Sequence, residues 1–138
     1  MKLVIDSNRV MAGLIKDSVT RMIILNEDLD FIAPEHLLTE IQKYRDYLMN
    51  KANQTETEFD LTLSSLIERI TFVPEEDFEE YIEQAEEIMK EIDPKDSPFL
   101  AVGLSSHVDG IWSEDKDFDE QSKLKRYSTK DLHDKFIL

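Results

Sequence analysis

Leu3-Val4-Ile5-Asp6-Ser7-Asn8 decides how the rest of the chain is read. Three apolar residues, two of them β-branched, stop abruptly at a carboxylate, and no polar residue alternates with them. A run so short and uniformly apolar fits a strand covered on both faces, as in a parallel sheet. Residues 31–33, 70–73 and 110–112 repeat the pattern, and residues 124–128 form a weaker fifth run. Polar residues or proline bound each of them.

Helical spacing fills the intervals. Pro34 can open a helix on which Leu37, Leu38, Ile41, Tyr44, Tyr47 and Leu48 recur every three or four residues. Thr55 with Glu58 reads as a capping box ahead of Phe59, Leu63, Leu66 and Ile67. Residues 75–92 repeat the stripe with Phe78, Ile82, Ala85, Ile88 and Met89. Ser97-Pro98 starts a helix to about Ser106 with almost no polar face, His107 capping its end. Ser128 or Thr129 caps a last helix carrying Leu132 and Phe136. Near the N-terminus a helix from Arg9 to Ile15 is interrupted at Lys16-Asp17 and resumes at Ser18. Strand and helices in alternation predict an α/β fold of three layers, a central parallel sheet of about five strands flanked by helices. The first two crossovers, roughly 24 and 36 residues, exceed the minimum of about 10–12.

Composition bounds the class. Zero cysteines exclude a disulfide scaffold, a cysteine-ligated zinc ribbon and a thiol nucleophile. No apolar run approaches the ~20 residues that span a bilayer, and Met1-Lys2 leads straight into the first strand. The expectation is one soluble, cytoplasmic domain over residues 1–138, with no membrane partner. Lys plus Arg number 16 against 31 Asp plus Glu, a formal charge of −15. Nucleic acid is gripped by cations that displace counterions, so the net charge opposes that partner. The acids are concentrated, however: residues 74–96 hold eleven of them against two lysines. The basic residues gather elsewhere, with Lys116, Lys123, Lys125, Arg126, Lys130 and Lys135 all in the last 23 positions.

In an open parallel sheet the site lies beyond the carboxyl ends of the strands. There the first run delivers Asp6, and the fourth delivers Ser113-Glu114-Asp115-Lys116-Asp117. Asp96 precedes the apolar helix on a neighbouring loop. Glu40 lies two turns into the helix after the second strand, where its carboxylate can lean over the sheet edge. Taken singly, Asp6 is a turn former, Asp96 an N-cap, Glu40 a solvated helix residue, and Asp115 with Asp117 a charged loop. Their joint placement on one edge is the signal. Like charges about 4 Å apart repel by roughly 4 kcal/mol at an effective dielectric of 20. A hard divalent ion, Mg²⁺ or Mn²⁺, removes that penalty and binds carboxylate oxygens and phosphate together. Such an ion also activates water, which points to metal-dependent phosphodiester hydrolysis.

Four segments in order, Leu-Val-Ile-Asp6-Ser-Asn8, Leu-Leu-Thr-Glu40-Ile, Asp96-Ser-Pro-Phe-Leu-Ala-Val-Gly-Leu and Ile-Trp-Ser-Glu-Asp115-Lys-Asp117-Phe, resemble the PIN-domain family over essentially the whole chain. Pro34-Glu-His-Leu-Leu-Thr-Glu40 matches its second motif. The resemblance implies a five-stranded parallel sheet and a ribonuclease using one or two Mg²⁺ or Mn²⁺ ions. In many members that enzyme is the toxin of a VapBC-type toxin–antitoxin pair, so it also implies an RNA substrate and an antitoxin partner. Carried over, Asp6, Glu40, Asp96 and Asp115 are the acidic quartet. Asp6, Asp96 and Asp115 contact metal, Glu40 holds waters or a second ion, and Asp117 is a less regular fifth acid. Asn8 stands at a position that orients Asp6 or a ligand, and Ser113 where the family often has Thr. Arg9 follows Asn8 and is placed either to contact phosphate or to form a surface ion pair. RNA binding at a charge of −15 needs Arg9, the Lys123-Lys125-Arg126 group or a partner chain. A homodimer would lengthen the groove.

The competing reading is a non-catalytic module that keeps the fold and acts through its acidic helix or a dimer face. A complete set of mutually repelling carboxylates argues against it. A receiver domain needs two adjacent acids after the first strand and a lysine at a late strand end; Asp6 stands alone and residues 110–114 hold no lysine. His36 shares a helix with Glu40 but occupies an exposed first turn, and Trp112 belongs to the core.

Overall fold

The computed structural model describes residues 1–16 and 18–137. Five strands form one parallel sheet: β1 (Lys2–Ile5), β2 (Asp30–Pro34), β3 (Ile70–Val73), β4 (Gly110–Trp112) and β5 (Arg126–Tyr127), in the order β3-β2-β1-β4-β5. The predicted runs are these strands, the weak fifth included. β1 is central, pairing Leu3 with Phe31 on one side and with Gly110 on the other. Leu3, Val4 and Ile5 are all inaccessible to solvent, as are Ile111 and Trp112, so both sheet faces are covered.

One helical layer comprises α1 (Ser7–Ile15), α2 (Ser18–Ile24), α3 (His36–Lys43), α4 (Arg45–Ala52) and α5 (Glu56–Ile67), with α9 (Thr129–Phe136) against α2. The other comprises α6 (Glu75–Phe78), α7 (Ile82–Met89) and α8 (Ser97–Ser105). α8 lies on β1 and β2 and buries Phe99, Leu100, Ala101, Val102 and Gly103, which explains its missing polar face. The expected break between α1 and α2 falls at Lys16-Asp17, of which Asp17 lies outside the described residues.

Some boundaries differ from the prediction. Pro34 ends β2 instead of opening a helix, which begins at His36. β1 pairs with β2 only as far as Ile32, so the missing N–H of Pro34 costs no ladder bond there. The single helix expected through Leu48 is two, because the Tyr44 amide is shared by the Glu40 and Ile41 carbonyls in a tightened turn. The tyrosines counted in that stripe, Tyr44 and Tyr47, are exposed. Residues 75–92 are likewise broken, with a 3₁₀ turn (Glu79–Tyr81) between α6 and α7. Clustered acids repel at helical spacing, and the break still lets Phe78, Ala85 and Met89 reach the core. His107 caps nothing: α8 ends at Ser105, whose hydroxyl bonds the Val102 carbonyl, and His107 is exposed beyond it. Both capping boxes, Thr55 with Glu58 and Ser128 with Asp131, are present.

Candidate functional site

From β1 the chain runs to β2 and β3 on one side, then returns through β4 to the other. The switch point of the sheet is therefore the crevice between the carboxyl ends of β1 and β4. Asp6 follows β1 directly, and its amide extends the ladder by donating to the Trp112 carbonyl at 3.2 Å. Ser113 follows β4 and donates its hydroxyl to Asp6 Oδ2 at 2.6 Å, both side chains buried. The same hydroxyl accepts the Asp115 amide at 2.9 Å, and Asp115 Oδ1 accepts the Asp117 amide at 2.9 Å. One hydroxyl thus ties the two strand ends together and orients the acids on both.

Glu40 reaches the same place from α3. Ser7, the first residue of α1, donates to Glu40 Oε1 at 2.9 Å, and His36 Nε2 lies 3.3 Å from that oxygen. Asp96 arrives from the opposite helical layer, at the start of α8. It stands at the N-cap position and makes no side-chain capping bond, so the ordinary role of such a residue does not account for it. Asp93 comes with it: carboxylate oxygens of Asp93, Asp96 and Asp115 lie within 4.8 Å of one another.

The electrostatics record the crowding. Burial and the charges of Asp6, Asp93, Asp115 and Glu40 push the Asp96 carboxyl up to about 8. Burial also raises Asp6, against hydrogen bonds from Ser113 and the Asn8 backbone, with Asp115 and Glu40 adding to the rise. Asp117 is raised chiefly by Asp115. Among the described residues, none of Asp6, Asp93, Asp96, Asp115 and Asp117 forms an ion pair with lysine or arginine. This donor set suits a hard divalent cation. With ligands at about 2.1 Å, oxygens on one ion can be at most about 4.2 Å apart, so the Asp93–Asp96–Asp115 spacing needs little contraction.

Comparison with known proteins agrees with this geometry. The family model of the PIN domain matches residues 4–133. The chain belongs to the PIN-domain family. No curated protein and no solved structure gives a significant match. PIN domains are generally nucleases and usually use a divalent metal, and this PIN domain keeps an acidic cluster at the switch point of its sheet. Among the described residues no helix is long and apolar enough to cross a membrane.

Asp96 feels the charges of Asp6, Glu40 and Asp115, and Asp117 feels that of Asp115; among the described residues only Asp93, Asp96 and Asp115 bring carboxylate oxygens within 4.8 Å of one another. Asn8 is exposed and acts on Asp6 through its backbone. Among the described residues Arg9 forms no ion pair within 4 Å; it donates to Thr129 Oγ1 at 3.3 Å, and its buried Nε has no partner among them. Arg126 is committed to a two-pronged pair with Asp119 and to the Ser113 carbonyl. Two residues escaped the sequence reading. Ser7 gave no signal beyond adjacency to Asp6. Asp93 had one, the Asp-Pro-Lys-Asp spacing ahead of α8. A groove of about 1300 Å³ leads away from Glu40 between α3 and α6–α7, lined by Glu75, Glu83, Glu86 and Glu87 together with Lys43, Lys90 and Lys95, over Phe78 and Ile82.

Proposed function

We propose that this PIN domain is an endoribonuclease that hydrolyses RNA phosphodiester bonds with Mg²⁺ or Mn²⁺ held at Asp6, Glu40, Asp96 and Asp115. The observation that carries the reading is the convergence of these carboxylates from β1, α3, the start of α8 and the β4 loop, with no lysine or arginine paired to them among the described residues. A divalent ion bound there supplies charge neutralisation at phosphorus and acidifies water. Asp6, Asp96 and Asp115 hold the ion, and Asp117 adds negative charge at the rim. Ser113 fixes the rotamer of Asp6 through its 2.6 Å hydrogen bond. Glu40, tethered by Ser7, holds water and takes the proton as the water oxygen bonds to phosphorus. The ester P–O bond opposite breaks, and its oxygen leaves with a proton drawn from solvent. Arg9, tied to Thr129 and near Glu114, is the cation proposed to contact a substrate phosphate.

The finer reading is the toxin of a toxin–antitoxin pair acting in the cytoplasm. Its support is the groove next to Glu40, whose lining has six glutamates against three lysines, a balance that suits a basic antitoxin segment. A homodimer would lengthen the groove without changing the balance of charge, since each copy carries −15. The test is cleavage of single-stranded RNA by wild type, Asp6→Asn and Asp96→Asn. Both variants lose at least a thousandfold in rate while keeping the wild-type circular dichroism. Full wild-type activity in chelator would overturn the proposal.

A further inference from the structure

The acids of the site fall into two kinds. Asp6 and Glu40 are each tethered by a seryl hydroxyl, Ser113 for one and Ser7 for the other. Asp93, Asp96 and Asp115 have oxygens facing one another within 4.8 Å. How Asp93 comes to be there is a matter of turn geometry. Pro94–Asp96 is a 3₁₀ turn preceded by Asp93, closed by the Asp96 amide donating to the Asp93 carbonyl at 3.1 Å. Ser97 locks it by donating to the Pro94 carbonyl at 2.8 Å. Asp93 stands at the N-cap of this turn with extended backbone, and its carboxylate faces those of Asp96 and Asp115. Proline at the first position holds the backbone in that shape before any ligand arrives. Asp93 Oδ1 accepts the Lys95 amide at 3.2 Å, which orients the carboxylate.

We infer that Asp93 is a direct ligand of the divalent ion, forming with Asp96 a preformed two-carboxylate chelate that Asp115 closes. The inference rests on the metal-dependent reading above and extends it by a residue outside the acidic quartet. It adds Asp93 to Asp6, Asp96 and Asp115 as residues that would hold the ion and leaves Glu40 to act on water.

The experiment is calorimetric titration of Mn²⁺ into metal-free wild type, Asp93→Asn and Asp93→Ser, in about 0.5 M KCl to screen effects of charge at a distance. Both substitutions keep a side-chain oxygen for the Lys95 amide, so the turn persists. A tenfold or greater loss of Mn²⁺ affinity in both variants is expected, and a smaller loss overturns the inference. A second readout needs no variant: in wild type the Asp93 carboxyl ¹³C resonance shifts along the same Mg²⁺ titration curve as those of Asp96 and Asp115. An Asp93 signal that stays put while the other two move overturns the inference and leaves the nuclease reading intact. Wild type that binds no Mn²⁺ at millimolar concentration overturns both.

Discussion

Ser113 is the residue on which two strand ends depend, because its hydroxyl donates to Asp6 while accepting the Asp115 amide. Ser113→Ala leaves the buried Asp6 carboxylate with only the Asn8 backbone bond and takes the side-chain acceptor from the Asp115 amide. The expected cost is about 1–3 kcal/mol in urea unfolding, with RNA cleavage slowed roughly 10–100-fold as the ligands lose their orientation. Asp96 makes a different prediction. Its carboxyl is pushed from the ordinary 3.8 to about 8 in the metal-free fold. Between those values the folded state binds a proton that the unfolded chain has released, so stability is retained at low pH and falls as pH rises. The thermal midpoint of metal-free protein should drop between about pH 5 and pH 8, and Asp96→Asn should flatten the drop. A midpoint that climbs over that interval contradicts the crowding described here.

At the scale of elements, the strands were legible because each is a short apolar run stopped by a polar residue, and the stopping residues of β1 and β4 belong to the candidate site. Asp6, Glu40, Asp96 and Asp115 could be read for that reason: each is placed by an element whose apolar face fixes its direction. Ser7 could not, since its bond to Glu40 depends on how α1 leaves β1 relative to α3, a tertiary matter. Asp93 was hidden by the assumption of one helix through Ile92; only a 3₁₀ turn after the acidic stretch aligns it with Asp96. The helix breaks at Tyr44 and at Glu79–Tyr81 leave no mark on the stripe because periodicity survives a short interruption. β5, only two residues long, depends on a close approach: a Cβ at Gly110 would sit 2.2 Å from the Lys125 carbonyl oxygen. Backbone cannot yield as a side chain tip does. Gly110→Ala should therefore destabilise by about 1–3 kcal/mol in denaturant unfolding, with loss of amide-exchange protection concentrated in residues 124–128.

The whole molecule carries −15, with the excess crowded on α6, α7 and the site. Self-repulsion of this size destabilises the compact state and is relieved by screening, whose length falls from about 10 Å at 0.1 M salt to about 3 Å at 1 M. Sodium chloride should raise the melting temperature of metal-free protein. Millimolar Mg²⁺ should raise it further than the same ionic strength of NaCl, since saturation at 100 times Kd contributes about 2.7 kcal/mol. The central claim is that the carboxylates meeting between β1 and β4 are held for a divalent ion and cut RNA through it. Cleavage of a single-stranded RNA followed across a Mg²⁺ titration, in wild type and in folded Asp96→Asn, tests it most directly. The account predicts a rate that rises from zero in chelator to saturation with Mg²⁺, and no cleavage by Asp96→Asn at any Mg²⁺ concentration. Cleavage that persists in chelator, or that survives Asp96→Asn unchanged, would contradict it.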